Sequence, residues 1–202
     1  MPIAKGEAWG APGSLPPGGL VVASDAAARA IVEDARRSGR PLPALGLVGG
    51  DLCRTLGGPG DRDRLTSGSA TTFSVDLGAV LADGKLYWFV AHLVARTPWW
   101  GDAFVAMNAQ WLGSWNLGPR AHPGDGLLDT YRARLSVGDR ARVRARLHHG
   151  THLPHPGISQ ARTQAVQVRF QRPHRLWLDG EPVGRVRHVS VRVEPDALTV
   201  VV

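Results

Sequence analysis

The stretch LWLDGEP, residues Leu176 to Pro182, is an apolar run that ends in Asp179-Gly180, a dipeptide suited to turning one strand back on the next. Before it, Ala165 to Phe170 alternates Val166, Val168 and Phe170 with polar residues. After it, Arg187 to Val193 does the same with Val189, Val191 and Val193. A period of two is the signature of a half-buried strand. The same texture begins near Thr71. Thr72 to Leu77, Lys85 to Val94, Ala103 to Gln110, Arg175 to Leu178 and Ala197 to Val202 read as further strands, and Ala82-Asp83-Gly84 reads as another turn. An antiparallel sandwich or an open barrel is expected.

Upstream the pattern differs. Leu20 to Ala23 is a short apolar run, and Asp25 stands at an N-cap position before Ala26 to Gly39, with Gly39 as the helix stop. Ala44 to Val48 is a second apolar run. It leads into Gly49, Gly50 and Asp51, and LCRTLGG then supplies one or two helical turns. This predicts one strand-helix-strand unit with glycines at the end of its second strand. Residues 1 to 19, rich in Gly and Pro, read as an irregular lead-in. The chain is therefore expected to be α+β, with a reduced α/β segment over 1–66 and a β-rich domain over 67–202.

With 202 residues and 43% hydrophobic side chains, the chain can bury a substantial core. No apolar run approaches the ~20 residues of a membrane-spanning helix, and the N-terminus lacks the apolar centre of a signal peptide. Cys53 is the lone cysteine, in keeping with a reducing compartment. These features predict a cytoplasmic location. The net charge of +7 suits an anionic membrane surface or nucleic acid. The densest basic patch alternates Arg140, Arg142, Arg144 and Arg146 with Ala141, Val143, Ala145 and Leu147. On a strand the arginines would share a face, and on a helix they would spread over a broad arc. A nucleic-acid partner is disfavoured, because no recognition helix, zinc-finger spacing or aromatic ribonucleoprotein pattern is present.

Five stretches occur in a telling order: NAQWLG (Asn108 to Gly113), GPRAHPGDGLLD (Gly118 to Asp129), HHGTHLPHPGI (His148 to Ile158), LWLDGEP, and VEPDALTVVV (Val193 to Val202). In this order they resemble the second domain of bacterial lipid kinases of the diacylglycerol kinase type. Gly39 to Gly57 resembles that family's strand and glycine loop, shortened by several residues. Val21 to Asp34 lies where the family has GGDGT, with Ala23, Ser24, Asp25, Ala26 and Ala27 in its place. The resemblance runs from about residue 20 to 202, and the family's first strand-helix-strand segment has no counterpart in it.

The resemblance implies an antiparallel β-sandwich of the lipid kinase type and ATP-dependent phosphorylation of a lipid hydroxyl. It makes Glu181 of Asp179-Gly180-Glu181 the proton acceptor, a role open to a carboxylate near the attacking hydroxyl. It makes Asp125, with the carbonyls of His122 and Leu127, the holder of Mg2+, a hard ion that prefers oxygen and water. It places ATP near Asp25 and the turn Gly49, Gly50, Asp51, where backbone N–H groups would meet phosphate. Read without it, Asp179-Gly180 and Gly124-Asp125-Gly126 are ordinary turns, and Asp25 is an ordinary cap. Ala23 and Ser24 stand where GGDGT has glycines, which obstructs close approach of the backbone to phosphate. The alternative function is therefore a non-catalytic relative that binds a lipid or a partner protein.

Other residues invite weaker readings. His148, His149, His152 and His155 have spacings open to zinc, against which Pro154 and Pro156 and the family pattern argue. Cys53 has no identifiable base to make it a nucleophile. Trp99 and Trp100 would suit a lipid-facing mouth, since the indole ring favours membrane interfaces. A lipid at an anionic membrane surface is the expected partner, with peripheral attachment to the inner membrane surface. A homodimer is a further expectation, because a truncated α/β layer would leave apolar surface to cover.

Overall fold

The computed structural model describes residues 9–202; the first eight residues of the expected lead-in lie outside them. Strands β1 (Ala11–Pro12), β2 (Leu20–Val22) and β3 (Leu45–Leu47) and helices α1 (Asp25–Arg37) and α2 (Asp51–Thr55) form the first part. β2 and β3 pair in parallel with α1 between them in the chain, the expected strand-helix-strand unit. Within α1, Ala28, Val32 and Ala35 recur at helical spacing and are buried. The helix is capped by Ser24, whose hydroxyl accepts the N–H of Ala27 at 3.2 Å, and Gly39 follows its end at φ 65°. Asp25 is thus the first helical residue and not the cap, because its carboxylate is engaged elsewhere.

The remaining strands are β4 (Thr71–Ala82), β5 (Lys85–Phe89), β6 (His92–Arg96), β7 (Asp102–Met107), β8 (Leu128–Arg134), β9 (Ile158–Thr163), β10 (Ala165–Leu178) and β11 (Glu181–Val201). Helix α3 (Val137–Leu147) lies between β8 and β9. The backbone path runs β1-β4-β11-β10-β6-β7-β8-β9, with β5 on β4 and β3 on β11. All these pairings are antiparallel except β3 with β11 and β2 with β3. The antiparallel architecture expected from the alternation is the one observed, as a sandwich-like sheet with few helices.

Several elements differ from expectation for identifiable reasons. Lys85 to Val94 is two strands and not one, because Val90 and Ala91 leave the ladder to donate their N–H groups to Asp179. The last four expected strands merge into two, β10 and β11, whose register shifts fall between Arg169 and His174 and between Glu194 and Leu198. The arginine-rich patch is helical. Ser136 caps it by accepting the N–H of Asp139 at 3.2 Å, and Val143 and Leu147 form its buried seam.

Alternation along β6 and β7 positions the site. Leu93, Ala95, Phe104 and Ala106 face the core shared with β10 and β11. Val94, Val105 and Met107 face the other way, toward Tyr131 and the buried residues of α3. This limb of the sheet is therefore covered on both faces, on one side by a single short helix. A third core joins α1, β2, β3 and the ends of β4 and β11, including Val32, Leu45, Val75 and Val200.

Candidate functional site

Four polar residues meet where the α/β segment joins the sandwich. The Asp25 carboxylate accepts the N–H of Asp51 at 2.5 Å and of Leu52 at 3.1 Å. Asp51 in turn meets His92 Nε2 at 2.9 Å and accepts the N–H of Gly113 at 2.8 Å. Asp179 is buried in the turn from β10 to β11, at φ 50°, and accepts the N–H groups of Val90, Ala91 and His92 at 2.9, 2.8 and 3.0 Å. Arg29 of α1 approaches it at 4.0 Å. The turn is a true Asp-Gly hairpin, with Gly180 at φ 84°.

Charge in this cluster is unevenly held. Burial opposes ionisation of Asp51, but the hydrogen bond from His92 and the N–H of Gly113 hold its carboxyl below the usual range. Burial likewise opposes charge on His92, yet the bond to Asp51 and the charge of Asp179 raise its pKa. Both directions describe an ion pair. Burial pushes Asp25 up to about 6, aided by the charge on Asp179 and opposed by the N–H groups of Asp51 and Leu52. Burial also raises Asp179, against His92 and its three N–H donors.

As a phosphate cradle it is already occupied by the protein. The N–H groups at the start of α2 are spent on Asp25, and Gly50 lies so close that a Cβ there would come within 2.5 Å of the Asp25 carboxylate. Gly49 is similarly pressed against the carbonyl of Ala23, at 2.5 Å from a Cβ. The nucleotide expected at this turn would have to displace a buried acid. Asp25, Asp51 and His92 also bring one ligand atom each within 4.8 Å of one another. Both Asp25 oxygens and one Asp51 oxygen, however, are already hydrogen-bonded within the protein.

Glu181 begins β11 opposite Leu178 and is exposed, and its side chain has no hydrogen-bond or ion-pair partner among the described residues. It is not part of the buried quartet. A shallow cleft lined by His92, Arg96, Trp100, Trp115, Trp177 and Gly180 runs beside it. Sequence reasoning missed His92 and Asp179. His92 could have been noticed as the one residue in the apolar run YWFVAHLVA that can carry a positive charge.

A deeper cleft adjoins the first and shares Trp100 and Trp115 with it. It lies between the outer face of β7 and β8 and helix α3, has a cavity volume of about 120 Å³, and has Val105, Leu117, Val143 and Leu147 among its walls. Arg140 and Arg144, one helical turn apart, stand at its edge with Trp99. Arg140 donates to the carbonyl of Trp99 at 3.0 Å, and Arg144 lies over the ring of Trp115 at 5.3 Å. Trp99 is 83% exposed. Trp99 and Trp100 both hold positive φ, 61° and 59°, a conformation that costs a non-glycine residue about 1–2 kcal/mol. His152 lines the same cleft and is 3% exposed; burial lowers its pKa, against a hydrogen bond to the Leu117 backbone. The arginine patch and the paired tryptophans, separate features of the sequence, thus belong to one site.

The Asp125 loop lies elsewhere. Asp125 accepts the N–H of Leu127 at 3.0 Å with one oxygen and pairs with Arg162 through the other. Gly126 donates to Asp76 at 2.8 Å, and the ring of His122 packs 4.3 Å from that of Trp9. Both Asp125 oxygens are thus already engaged within the protein. The four histidines of 148–155 do not converge: His148 meets the carbonyl of Ser114, His152 is in the cleft, and His155 faces Asp139. Cys53 is buried with its thiol on the Leu47 carbonyl at 3.4 Å, and burial raises its pKa.

A sandwich joined to a parallel strand pair through its longest strand, with an apolar cleft beneath one helix, defines an NAD kinase-like β-sandwich protein. The family described as the YegS C-terminal NAD kinase beta sandwich-like domain matches residues 79–202, and the chain belongs to it. Among solved structures, a diacylglycerol kinase from Bacillus anthracis str. Sterne is similar at a TM-score of 0.54 and 14% identity, over 79% of this chain and 66% of that one. A candidate diacylglycerol kinase from the same organism gives 0.57 and 14%, over 79% and 67%. The chain thus spans 66% of the first of these. At such identity the likeness concerns the fold. No curated protein matches the chain.

Proposed function

We propose that this chain is a lipid-binding member of the lipid kinase-like family, taking an acyl chain into the cleft under α3 with an anionic headgroup at Arg140 and Arg144. The observation that carries this reading is the pairing of an apolar cavity with two arginines and an exposed tryptophan at one edge. At about 120 Å³ the cavity is smaller than most ligand sites, so it would take only part of an acyl chain unless α3 shifts outward. Arginine suits phosphate recognition through its planar fork of donors. Trp99, exposed at this edge, would enter the headgroup region of a membrane. No helix of the described residues is long and apolar enough to cross one.

Flotation with vesicles of phosphatidylglycerol or phosphatidylcholine tests the reading. Binding should favour the anionic vesicles, weaken with salt, and fall at least tenfold in an Arg140→Glu/Arg144→Glu double variant. Ala133→Trp, which fills the cleft and spares the arginines, should abolish uptake of a fluorescent fatty acid. Equal binding to both vesicle types would sink the headgroup assignment, and unchanged uptake by Ala133→Trp would sink the cleft.

A second reading, phosphoryl transfer to a lipid hydroxyl with Glu181 as base, draws support from the shallow cleft that leads from Trp100 and Trp115 to His92 and Gly180. It requires ATP to bind beside a helix start that Asp25 now caps. Calorimetry with ATP and Mg2+ separates the two readings. Saturable binding, followed by lipid phosphorylation that Glu181→Gln removes, would favour the kinase; no heat at millimolar ATP would favour the binder.

A further inference from the structure

We infer that Arg162 is the resident cation of the Asp125 loop, holding by a covalently tethered charge what the family pattern assigns to Mg2+. β8 and β9 place Asp129 directly opposite Arg162, so that both side chains leave the sheet on the same face. The guanidinium pairs with Asp125 through one amino group and lies 3.5 Å from Asp129 through Nε. A planar donor fork can bridge two carboxylates in this way, whereas a lysine offers a single point charge.

The buried acid of β4 beneath the loop is also spoken for. Asp76 is fully buried, and its oxygens accept the N–H of Gly126 at 2.8 Å and of Asp196 at 2.9 Å. Its backbone N–H reaches the carbonyl of Pro123 at 2.7 Å, while its own carbonyl accepts from Asn108 at 2.8 Å. On the loop's other side a Cβ at Gly124 would come within 2.6 Å of the Trp9 indole. The loop is thus braced by an arginine, a buried aspartate and an indole. A divalent ion at Asp125 would have to displace the guanidinium, and the two cations would repel one another at that carboxylate.

The test uses metal binding and unfolding, independent of any lipid or ATP. Wild-type protein is titrated with Mn2+ by electron paramagnetic resonance, and its unfolding midpoint is compared in EDTA and in Mg2+. No stoichiometric Mn2+ site and no shift are expected. Arg162→Ala should melt roughly 3–8 °C lower in EDTA, recover in Mg2+, and bind about one Mn2+ per chain, a site that Arg162→Ala/Asp125→Asn should lack. Arg162→Lys should stay metal-free and melt between the two. A stoichiometric Mn2+ site in the wild type that Asp125→Asn removes would overturn the inference. So would an Arg162→Ala protein that folds yet neither loses stability nor gains a metal. Should Arg162→Ala fail to fold, the wild-type and Asp125→Asn titrations decide alone.

Discussion

Asp25 does at α2 what a bound anion would do, since its carboxylate meets two N–H groups that no helical carbonyl can reach. Asp25→Ala should therefore cost about 1–3 kcal/mol, read as a lower urea midpoint; an unchanged midpoint would mean that water replaces the acid freely. Asp25 and Asp76 also set a pH dependence. Burial raises each to about 6 from 3.8, with backbone N–H groups opposing. Between those values the folded chain keeps protons that the unfolded chain has released. Stability should accordingly fall as pH rises from about 4 to about 6, by up to roughly 3 kcal/mol for each group, with the lowered carboxyl of Asp51 opposing. His152, lowered by burial, acts the other way as pH approaches 6.5, so the lower half of the window is the cleaner one. Urea midpoints at closely spaced pH should slope downward there, and a flat or rising profile would refute the raised carboxyls. These residues show where sequence reading stops. Asp25 was recognisable as a helix-start aspartate, but its true partners lie 26 and 27 residues away, and no local pattern predicts which helix an acid will cap.

Among the elements, the break between β5 and β6 depends most on one side chain. Asp179 takes three consecutive N–H groups out of the ladder, and Asp179→Ala would leave them buried without an acceptor. A cost of about 3 kcal/mol or more is expected, measurable by denaturation; a loss below about 1 kcal/mol would mean that the strands rejoin across Val90 and Ala91. The turn containing Asp179 was legible from Asp-Gly, whereas the residues it would grip were hidden inside an unbroken apolar run. α3 failed to declare itself for a different reason. Its arginines alternate with apolar residues, which imitates a strand, and only Val143 and Leu147 report the helical period. β8 and β9 were hidden as well, because Arg132, Arg134 and Arg162 interrupt their apolar content. Val166 to Phe170 and Val189 to Val193 were legible because one face is buried and the other wet, the condition under which alternation is strictest.

At the level of the whole molecule, β11 ties the two parts together. Its middle pairs with β10 and β4, and its end pairs with β4 and, through Val200 and Val201, with β3. The sequence boundary between 66 and 67 therefore cuts through one continuous sheet. A 67–202 fragment should expose Val75, Leu198 and Val200 and either aggregate or unfold at much lower urea. The full chain should lose far-ultraviolet and near-ultraviolet circular dichroism in a single coincident transition. Two resolved transitions, with a stable fragment, would separate the parts after all. The cleft has a consequence of another kind. Of the seven tryptophans in the chain, Trp99, Trp100 and Trp115 line it, while Trp9 and Trp88 pack in or against the α/β core, Trp111 lies under Arg54, and Trp177 under Arg96. The protein thus carries its own optical reporter: an acyl chain brominated along its length would quench the emission of those three indoles carbon by carbon, and the position of strongest quenching would read out how deeply the chain lies.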